Sequence, residues 1–241
     1  MNREQQLADA FVDLTDTLSG DVEPLTLLHR LAEHCRGLTC MDAAGVLLAN
    51  ARGGLRSAAV SADRREFETA LQTAEGPGAE AFMTGAHVHT VDIGGHEPDW
   101  PRFVSLARAA GCSAAYALPL RAGGQTVGAV HLLARAPVIP DSSQSVVLQA
   151  LADVTATAVV TWNRDLPRPY DIVTRTQAAL SSKALLDTAA GMIAATADIS
   201  PREAAGRLRA YAARSHQRPT AVADRLVKRQ LTPQSVLTET S

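Results

Sequence analysis

The stretch that most constrains the fold is residues 179–227, where successive helix signals agree from end to end. It begins inside an alanine- and leucine-rich run, residues 171–197, which has no internal proline and predicts one long helix. The motif Ser-Pro-Arg-Glu at 200–203 combines an N-cap, a first-turn proline and a capping-box glutamate, and predicts a second helix. Arg-Pro at 218–219 begins a third. Three short helices can bury a core only if they pack closely, which their alanines permit.

Charge is divided unevenly along the chain. Residues 1–169 carry 13 Lys+Arg against 19 Asp+Glu, a net charge of −6, whereas residues 170–241 carry 10 against 6, a net charge of +4. A basic helical segment behind an acidic body is compatible with a polyanionic partner, and equally with an ordinary solvated helical surface. Charge alone leaves both interpretations open.

Several protein classes are disfavoured by the composition. The three cysteines, Cys35, Cys40 and Cys112, are too few and too scattered for a disulfide framework or a zinc cluster. The charged N-terminus lacks the apolar run of a signal peptide, and no run of about 18 apolar residues predicts a membrane span. We therefore expect a cytoplasmic protein without membrane contact.

The upstream part of the chain changes repeatedly between helical and strand periodicity. Each of two pairs of short apolar runs surrounds a Gly-Gly turn and predicts a β-hairpin. Helices are predicted at both ends and strands between them, so we expect an α+β fold with a central antiparallel sheet flanked by helices. The predicted elements are helices 4–18, 22–38, 63–71, 101–111 and 141–162, hairpins 41–50/55–62 and 114–120/125–134, and a strand at 87–93. Asp63 with Glu66 resembles a capping box at the start of the helix at 63–71, and Asp141 and Gln144 are expected to cap the helix at 141–162.

Two prolines divide the chain into modules. Pro167 and Pro169 lack backbone donors and restrict the residues before them to extended conformations, so the preceding helix is expected to end here. We predict a first module at residues 1–165, a linker at 166–174, and an all-α three-helix module at 175–238.

No catalytic constellation is present in the sequence. The Gly-Gly pairs at 53–54, 94–95 and 123–124 lie in predicted turns and form neither a P-loop nor a dinucleotide fingerprint. No serine occupies a nucleophile-elbow motif. His87 and His89 lie on one face of a predicted strand and raise the hypothesis of a metal or haem site, but surface histidines on an edge strand explain them more simply. We predict no enzyme, no cofactor and no metal site.

Five motifs in the first module resemble the GAF domain, in the variety found in actinobacterial regulators. They are QTAEGPGAEAF (72–82), Asp92, DWPRF (99–103), LPLRAGGQTVGAVHLLARAP (118–137) and the helix after them. Related sequences often have Gly-Pro-Cys where this chain has Gly-Pro-Gly at 76–78, so a sensor chemistry on that cysteine is excluded.

The resemblance implies a sensory pocket, since GAF domains bind small molecules, cyclic nucleotides or haem in different members. A purely structural GAF domain that only dimerises is the alternative. The residues assigned to the candidate pocket are Gln72, Glu75, Phe82, His89, Trp100 and Phe103.

The C-terminal module is similar to the ANTAR domain, a three-helix RNA-binding module of bacterial antiterminators. The similarity rests on ALxSK…LLDxAAGMI, SPREA…LRAYA and HQRPTAVADRLV, which span residues 175–228. It implies binding to hairpin loops of nascent transcripts, which prevents terminator formation. The sequence departs from the family pattern at Lys183 (usually Arg), Ala190 (Lys), Ala205 (aromatic), His216 (Asn) and Pro219 (Leu).

The chemistry of RNA recognition selects the candidate residues. Unpaired loop bases are read by stacking and hydrogen bonds, while Arg and Lys hold phosphates, and small residues let a base approach a helix closely. The candidates are Lys183, Ala189, Gly191, Arg209, Arg214, Gln217 and Arg218.

Three partner assignments remain open for the helical module. A module of about 65 residues is marginally stable alone, so we also expect a homodimer. A dimerising protein-interaction role without RNA and a DNA-binding helix-turn-helix are the alternatives to RNA binding.

Overall fold

The computed structural model describes residues 3–15, 23–50, 53–63, 65–161 and 171–237, with residues 3–4 and 171–178 described by their backbone only. The chain separates into two compact units, Met1–Gln177 and Ala178–Ser241, called here the N-terminal and C-terminal units. This division lies close to the predicted start of the helical module at 175. Of the predicted linker, residues 166–170 lie outside the described residues, and residues 171–174 are helical.

A five-stranded antiparallel sheet forms the centre of the N-terminal unit, with strand order β2-β1-β5-β4-β3. Both predicted hairpins are confirmed, because the short apolar runs form paired antiparallel strands. The second hairpin turns at Gly123 and Gly124, which both have positive φ. The strands are β1 (Ala43–Ala49), β2 (Leu55–Ala62), β3 (Val88–Thr90), β4 (Ala114–Ala122) and β5 (Gln125–Ala134).

Helices cover both faces of this sheet. Helices α2 and α6 pack on one face, and α3, α4 and α5 pack on the other. The helices of the N-terminal unit are α1 (Arg3–Thr15), α2 (Pro24–Gly37), α3 (Arg65–Leu71), α4 (Pro77–Thr84), α5 (Pro101–Ala109) and α6 (Ser142–Thr161). The predicted α+β class is therefore confirmed.

The predicted boundaries fail where short elements depend on tertiary packing. The strand expected over 87–93 has only three residues, because the chain turns into a 3₁₀ turn at Ile93–His96. Helix α4 was not predicted as an element of its own, since it contains eight residues and carries proline and glycine at its start.

Capping boxes were predicted at the starts of two helices. The Asp141 carboxylate accepts the amide of Gln144 at 2.8 Å, and the Gln144 side chain accepts the amide of Asp141 at 2.9 Å, so this capping box is confirmed. The carboxylate of Asp63, expected to cap α3, accepts a hydrogen bond from Arg36, and the residue between Asp63 and α3 lies outside the described residues.

Helix α6 is the one described helix that is long and apolar enough to cross a membrane by length and composition. It buries Leu148, Leu151, Ala152 and Val159 within the N-terminal unit. Of its apolar 18-residue window 39% is buried, so burial in the N-terminal unit accounts for part of its hydropathy.

The C-terminal unit is helical and has its own core. It contains most of α7 (Asp171–Ala197), followed by α8 (Pro201–Arg214), α9 (Pro219–Val227) and α10 (Pro233–Leu237). Small side chains from α7 and α8 meet larger ones from α8 and α9, among them Leu208, Val222 and Leu226. Close packing on alanines, as predicted, lets these short helices enclose a core.

Replacing Ser200 with alanine is expected to lower the free energy of unfolding of the C-terminal unit by about 1 kcal/mol. The hydroxyl accepts the amide of Glu203 at 3.2 Å, and that amide lies in the first turn of α8, where the helix itself offers no acceptor. Urea unfolding followed by circular dichroism measures the loss. Thr196→Ala is the control, since the hydroxyl of Thr196 bonds only to a carbonyl within α7. Equal losses in both variants would contradict a capping role.

Candidate functional site

The exposed side of α8 is a ridge of small residues between two arginines. Gly206, Ala210 and Ala213 are all exposed, while Ala204, Leu208 and Ala212 face the core. Arg209 and Arg214 are separated by five residues, which places them about 140° apart around the helix, on opposite sides of the ridge. We call these five residues, Gly206, Arg209, Ala210, Ala213 and Arg214, the α8 saddle.

The two saddle arginines differ from three other cations of the unit. Lys183, Arg207 and Lys228 each form an ion pair four residues away along their own helix, at 2.7–2.9 Å from Asp187, Glu203 and Asp224 respectively. Within the described part of the chain, Arg209 and Arg214 make no such ion pair and are exposed. Their charges are therefore available to an external anion.

Two small residues predicted as RNA contacts have different surroundings. Ala189 is 0% exposed and packs in the core of the C-terminal unit, so it contributes to helix packing and cannot touch a ligand in this structure. Gly191 is exposed, and a Cβ there would meet nothing within 4 Å. No other part of the described chain approaches this glycine, which leaves an open surface on α7.

The last two predicted contacts lie at the junction of α8 and α9. The side-chain oxygen of Gln217 accepts a hydrogen bond from Arg225 at 3.0 Å. Arg218 is the N-cap residue of α9 and is exposed. Between α8 and Gln217, His216 adopts a left-handed conformation with φ 49°, and the Gln217 amide donates to Ala212 O at 2.9 Å to close the end of α8.

Replacing His216 with glycine is expected to raise the free energy of unfolding by roughly 0.5–1 kcal/mol, because glycine adopts positive φ without steric cost. Asparagine, which the related sequences favour here, is expected to give part of this gain. Urea unfolding measures it. Ala195→Gly, at an exposed position inside α7, is the matched control and is expected to destabilise by a similar amount. A loss of stability in His216→Gly would show that the imidazole makes a compensating contact.

The structure accounts for two of the departures from the ANTAR pattern. Ala190 is 5% exposed and belongs to the core, where a lysine would have to extend out of an apolar cluster. Pro219 is the first residue of α9, a position that tolerates proline because its amide would have no helical acceptor. Neither residue disturbs the helical frame.

Three of the predicted pocket residues lie together at the start of α5. Phe103 is fully buried, and Trp100 stacks on His96 with ring centroids 4.4 Å apart. The carboxylate of Glu75 accepts the amides of Arg102 and Phe103 at 2.8 and 3.2 Å, so it caps α5. These residues hold α5 on the sheet, and the aromatic rings fill the space beneath it.

The other three predicted pocket residues do not join them. Phe82 packs on the alanine cluster under α4, and Gln72 is exposed. His89 stacks on Tyr116 at a centroid distance of 6.2 Å, whereas its neighbour Val88 packs with the α4 and α5 side. Because successive strand residues alternate between faces, His89 lies on the opposite face from Phe103, and the two cannot line one pocket here.

His87 also lies on the Tyr116 side and so shares a face with His89, as the sequence predicted. The phenol of Tyr116 lies 2.7 Å from Nδ1 of His87, and Nε2 of His87 lies 2.8 Å from the side-chain oxygen of Gln149 on α6. Both ring nitrogens are therefore engaged within the protein. Among the described residues, no group of three or more His, Cys, Asp or Glu side chains forms a metal-binding cluster.

Sequence reasoning missed one residue that the structure singles out. His131 on β5 is 0% exposed, and its Nε2 lies 2.8 Å from the carbonyl of Leu71. Its Nδ1 has no hydrogen-bond partner among the described residues. Burial lowers the pKa of His131 to about 4, against the opposite effect of the Leu71 hydrogen bond. Nothing in the sequence around His131 distinguishes it from an ordinary strand residue.

Comparison with family models agrees with both parts of the chain. Residues 22–160 match the GAF domain, and this match covers more than half of the sequence, so the chain belongs to the GAF-domain family. Residues 174–227 match the ANTAR domain. The two domains indicate an ANTAR-type regulator with a sensory part and an RNA-binding part.

Solved structures with low sequence identity share the fold of the N-terminal unit. A structure entitled the GAF domain aligns with a TM-score of 0.51 and 17% identity over 64% of this chain and 88% of that one. The GAF domain of an Acinetobacter phosphoenolpyruvate-protein phosphotransferase aligns with a TM-score of 0.50 and 15% identity over 68% of this chain and 100% of that one. Free methionine-R-sulfoxide reductase from Neisseria meningitidis aligns with a TM-score of 0.50 and 16% identity over 75% of this chain and 91% of that one. No significant match was found among curated proteins.

Proposed function

We propose that this protein is an RNA-binding transcription antitermination regulator of the actinobacterial type. Its ANTAR domain binds hairpin loops of a nascent transcript, and its GAF domain senses a small-molecule signal or sets the geometry of a dimer. The observation that carries the proposal is the α8 saddle within a segment that matches the ANTAR domain.

The saddle has the chemistry that an RNA loop requires. Its two arginines supply positive charge to phosphates on either side of the ridge, and arginine binds phosphate with two parallel hydrogen bonds. The side chains of Ala210 and Ala213 and the bare backbone of Gly206 let a sugar-phosphate strand lie close to the helix. Gly191 offers a similar open surface on α7.

The N-terminal unit has the role of a sensor without catalysis in this proposal. The sequence carries no nucleophile-elbow or phosphate-loop motif, and Glu75, one of the candidate pocket residues, serves as a helix cap. Two of the three cysteines, Cys35 and Cys112, are buried. Burial raises the pKa of each thiol to about 12, so neither forms a reactive thiolate at neutral pH.

The proposed homodimer uses apolar surface on the helices of the N-terminal unit. Val146 on α6 is 71% exposed and Val12 on α1 is 67% exposed, and these two helices pack against each other. A second copy would remove such side chains from water. The proposed location is the cytoplasm, where nascent transcripts are made.

The exposed valines also favour the second candidate function, a non-catalytic dimerising protein-interaction regulator that does not bind RNA. In that case the C-terminal helices would contact protein, and their arginines would be solvated surface charges. The two functions predict opposite results in an RNA-binding assay.

Fluorescence anisotropy with a dual-hairpin leader RNA, titrated over a salt series, tests the proposal. We expect saturable binding whose affinity falls as salt rises, because phosphate contacts release counterions. Duplex DNA of equal length is the matched competitor and is expected to compete poorly. Absence of RNA binding at low salt, or equal competition by duplex DNA, would overturn the proposal in favour of protein interaction or of DNA binding respectively.

A further inference from the structure

The buried imidazole of His131 is unusual because only one of its nitrogens is satisfied. A carbonyl can only accept, so Nε2, 2.8 Å from Leu71 O, carries the hydrogen. In the neutral ring Nδ1 is then a bare acceptor. It lacks a partner in the described part of the protein, although buried polar atoms are nearly always paired.

Two glycines make the room that this ring occupies. A Cβ at Gly45, its neighbour on β1, would lie 2.7 Å from Nε2. A Cβ at Gly78, in the first turn of α4, would lie 3.2 Å from Nδ1. The unpaired nitrogen therefore faces the N-terminal turn of α4, whose backbone dipoles favour an acceptor over a cation.

Helix α4 packs on the sheet through residues that are small, apart from the half-buried Phe82. Its buried residues are Pro77, Gly78 and Ala81, and the cluster beneath it is built on Ala117 and Ala129. It is also bracketed by two glycines in backbone conformations that other residues avoid, Gly76 with φ 102° and Gly85 with φ 64°. Small side chains on its buried side and a glycine at each end are the features that would let α4 move away from the sheet.

We infer that Nδ1 of His131 and the first turn of α4 form the recognition end of the sensor's ligand site, and that the ligand is a small uncharged molecule that donates a hydrogen bond. This inference rests on the proposed sensory function of the N-terminal unit. The ligand enters as α4 moves outward, and its hydroxyl or amide group donates to Nδ1.

The surroundings decide the charge of the ligand. Leu47 and Leu71 flank the ring and Phe103 packs against Gly76, so the walls are apolar. A cation entering such walls would lose its hydration and face the positive end of the α4 dipole, and an anion would meet the lone pair of Nδ1. A neutral donor exchanges one hydrogen bond for another. The low pKa of His131 is consistent with this choice, because the ring remains a neutral acceptor at physiological pH.

The test uses full-length protein labelled with ¹⁵N-histidine and titrated with acetamide up to 100 mM. Acetone is the matched probe, since it has nearly the same shape but no N–H donor. We expect acetamide to shift the Nδ1 resonance of His131 towards the range of hydrogen-bonded nitrogens, in a saturable manner, and acetone to leave it unchanged. Equal shifts with both probes, or none with acetamide, would overturn the inference.

Two variants complete the experiment. Gly78→Ala keeps the imidazole but places a methyl group beside Nδ1, and we expect it to abolish the acetamide response. His131→Leu removes the acceptor, and we then expect no shift of the remaining histidine resonances on addition of acetamide. An undiminished acetamide response in Gly78→Ala would show that acetamide binds elsewhere and would contradict the inference. RNA affinity of the same samples is measured in parallel, so a failed acetamide response with intact RNA binding rejects this site alone.

Discussion

Replacing Arg209 and Arg214 together with alanine is expected to lower the affinity for hairpin RNA by at least about tenfold at physiological salt. Both guanidinium groups are exposed and make no ion pair within the described chain, so their full charge is available to phosphates. Anisotropy titration with the dual-hairpin leader measures the change. The slope of log affinity against log salt is expected to become shallower by about 1 to 2, since each lost phosphate contact removes about 0.7.

Lys228→Ala is the matched control, because this exposed cation is already paired with Asp224 at 2.8 Å. We expect at most a small, uniform decrease in RNA affinity for it. The single variants Arg209→Ala and Arg214→Ala then locate the RNA, because the two side chains lie on opposite sides of α8. If both single variants lose RNA affinity, the RNA strand crosses the ridge. If only one does, the RNA strand lies along one side of α8. An unchanged affinity in the double variant would contradict the saddle as the RNA interface.

The stability of the N-terminal unit is expected to decrease by about 3 kcal/mol as the pH falls from about 6.5 to 4. Burial lowers the pKa of His131 to about 4 in the folded state, below the value of an exposed histidine. The unfolded chain therefore binds a proton at higher pH than the folded chain, so the stabilisation is complete above the unfolded pKa and is lost between the two values. Urea unfolding at several pH values measures it, followed by tryptophan fluorescence, to which the buried Trp100 contributes.

The variant His131→Leu separates this effect from other titrating groups. It retains the volume of a buried side chain and removes the titrating nitrogen, so its stability is expected to change less between pH 6.5 and 4. Parallel pH curves for wild type and variant would contradict the assignment to His131. A thermal or urea transition assigned to the C-terminal unit provides an internal reference, since His131 lies in the other unit.

The sequence predicted the elements whose signals are local. Hairpins with Gly-Gly turns, the capping box of α6 and the Ser200 cap of α8 each depend on residues that are neighbours along the chain. The features that were missed depend on distant residues. Helix α4 forms where small side chains meet alanines of β4 and β5, and no periodicity in the sequence predicts this contact.

The candidate site was predicted less well for the same reason. The arginines of α8 follow from the helix pattern, but the burial of Ala189 depends on how α7 packs with α8 and α9. His89 was assigned to the pocket as part of the strand predicted over 87–93, yet strand alternation places it on the other face of the sheet. His131 becomes exceptional only when Gly45 and Gly78 are seen beside it in space.

The order of the strands has a consequence for aggregation. The longest strands, β4 and β5, are paired on both sides, and β3 offers only three residues at one edge of the sheet. At the other edge, β2 presents the exposed Arg56 and pairs with β1 across a β-bulge at Val46/Leu47. Short, charged or irregular edges are poor templates for adding a foreign strand. We therefore expect mutations that lengthen β3 or neutralise Arg56 to promote the formation of fibrils or inclusion bodies.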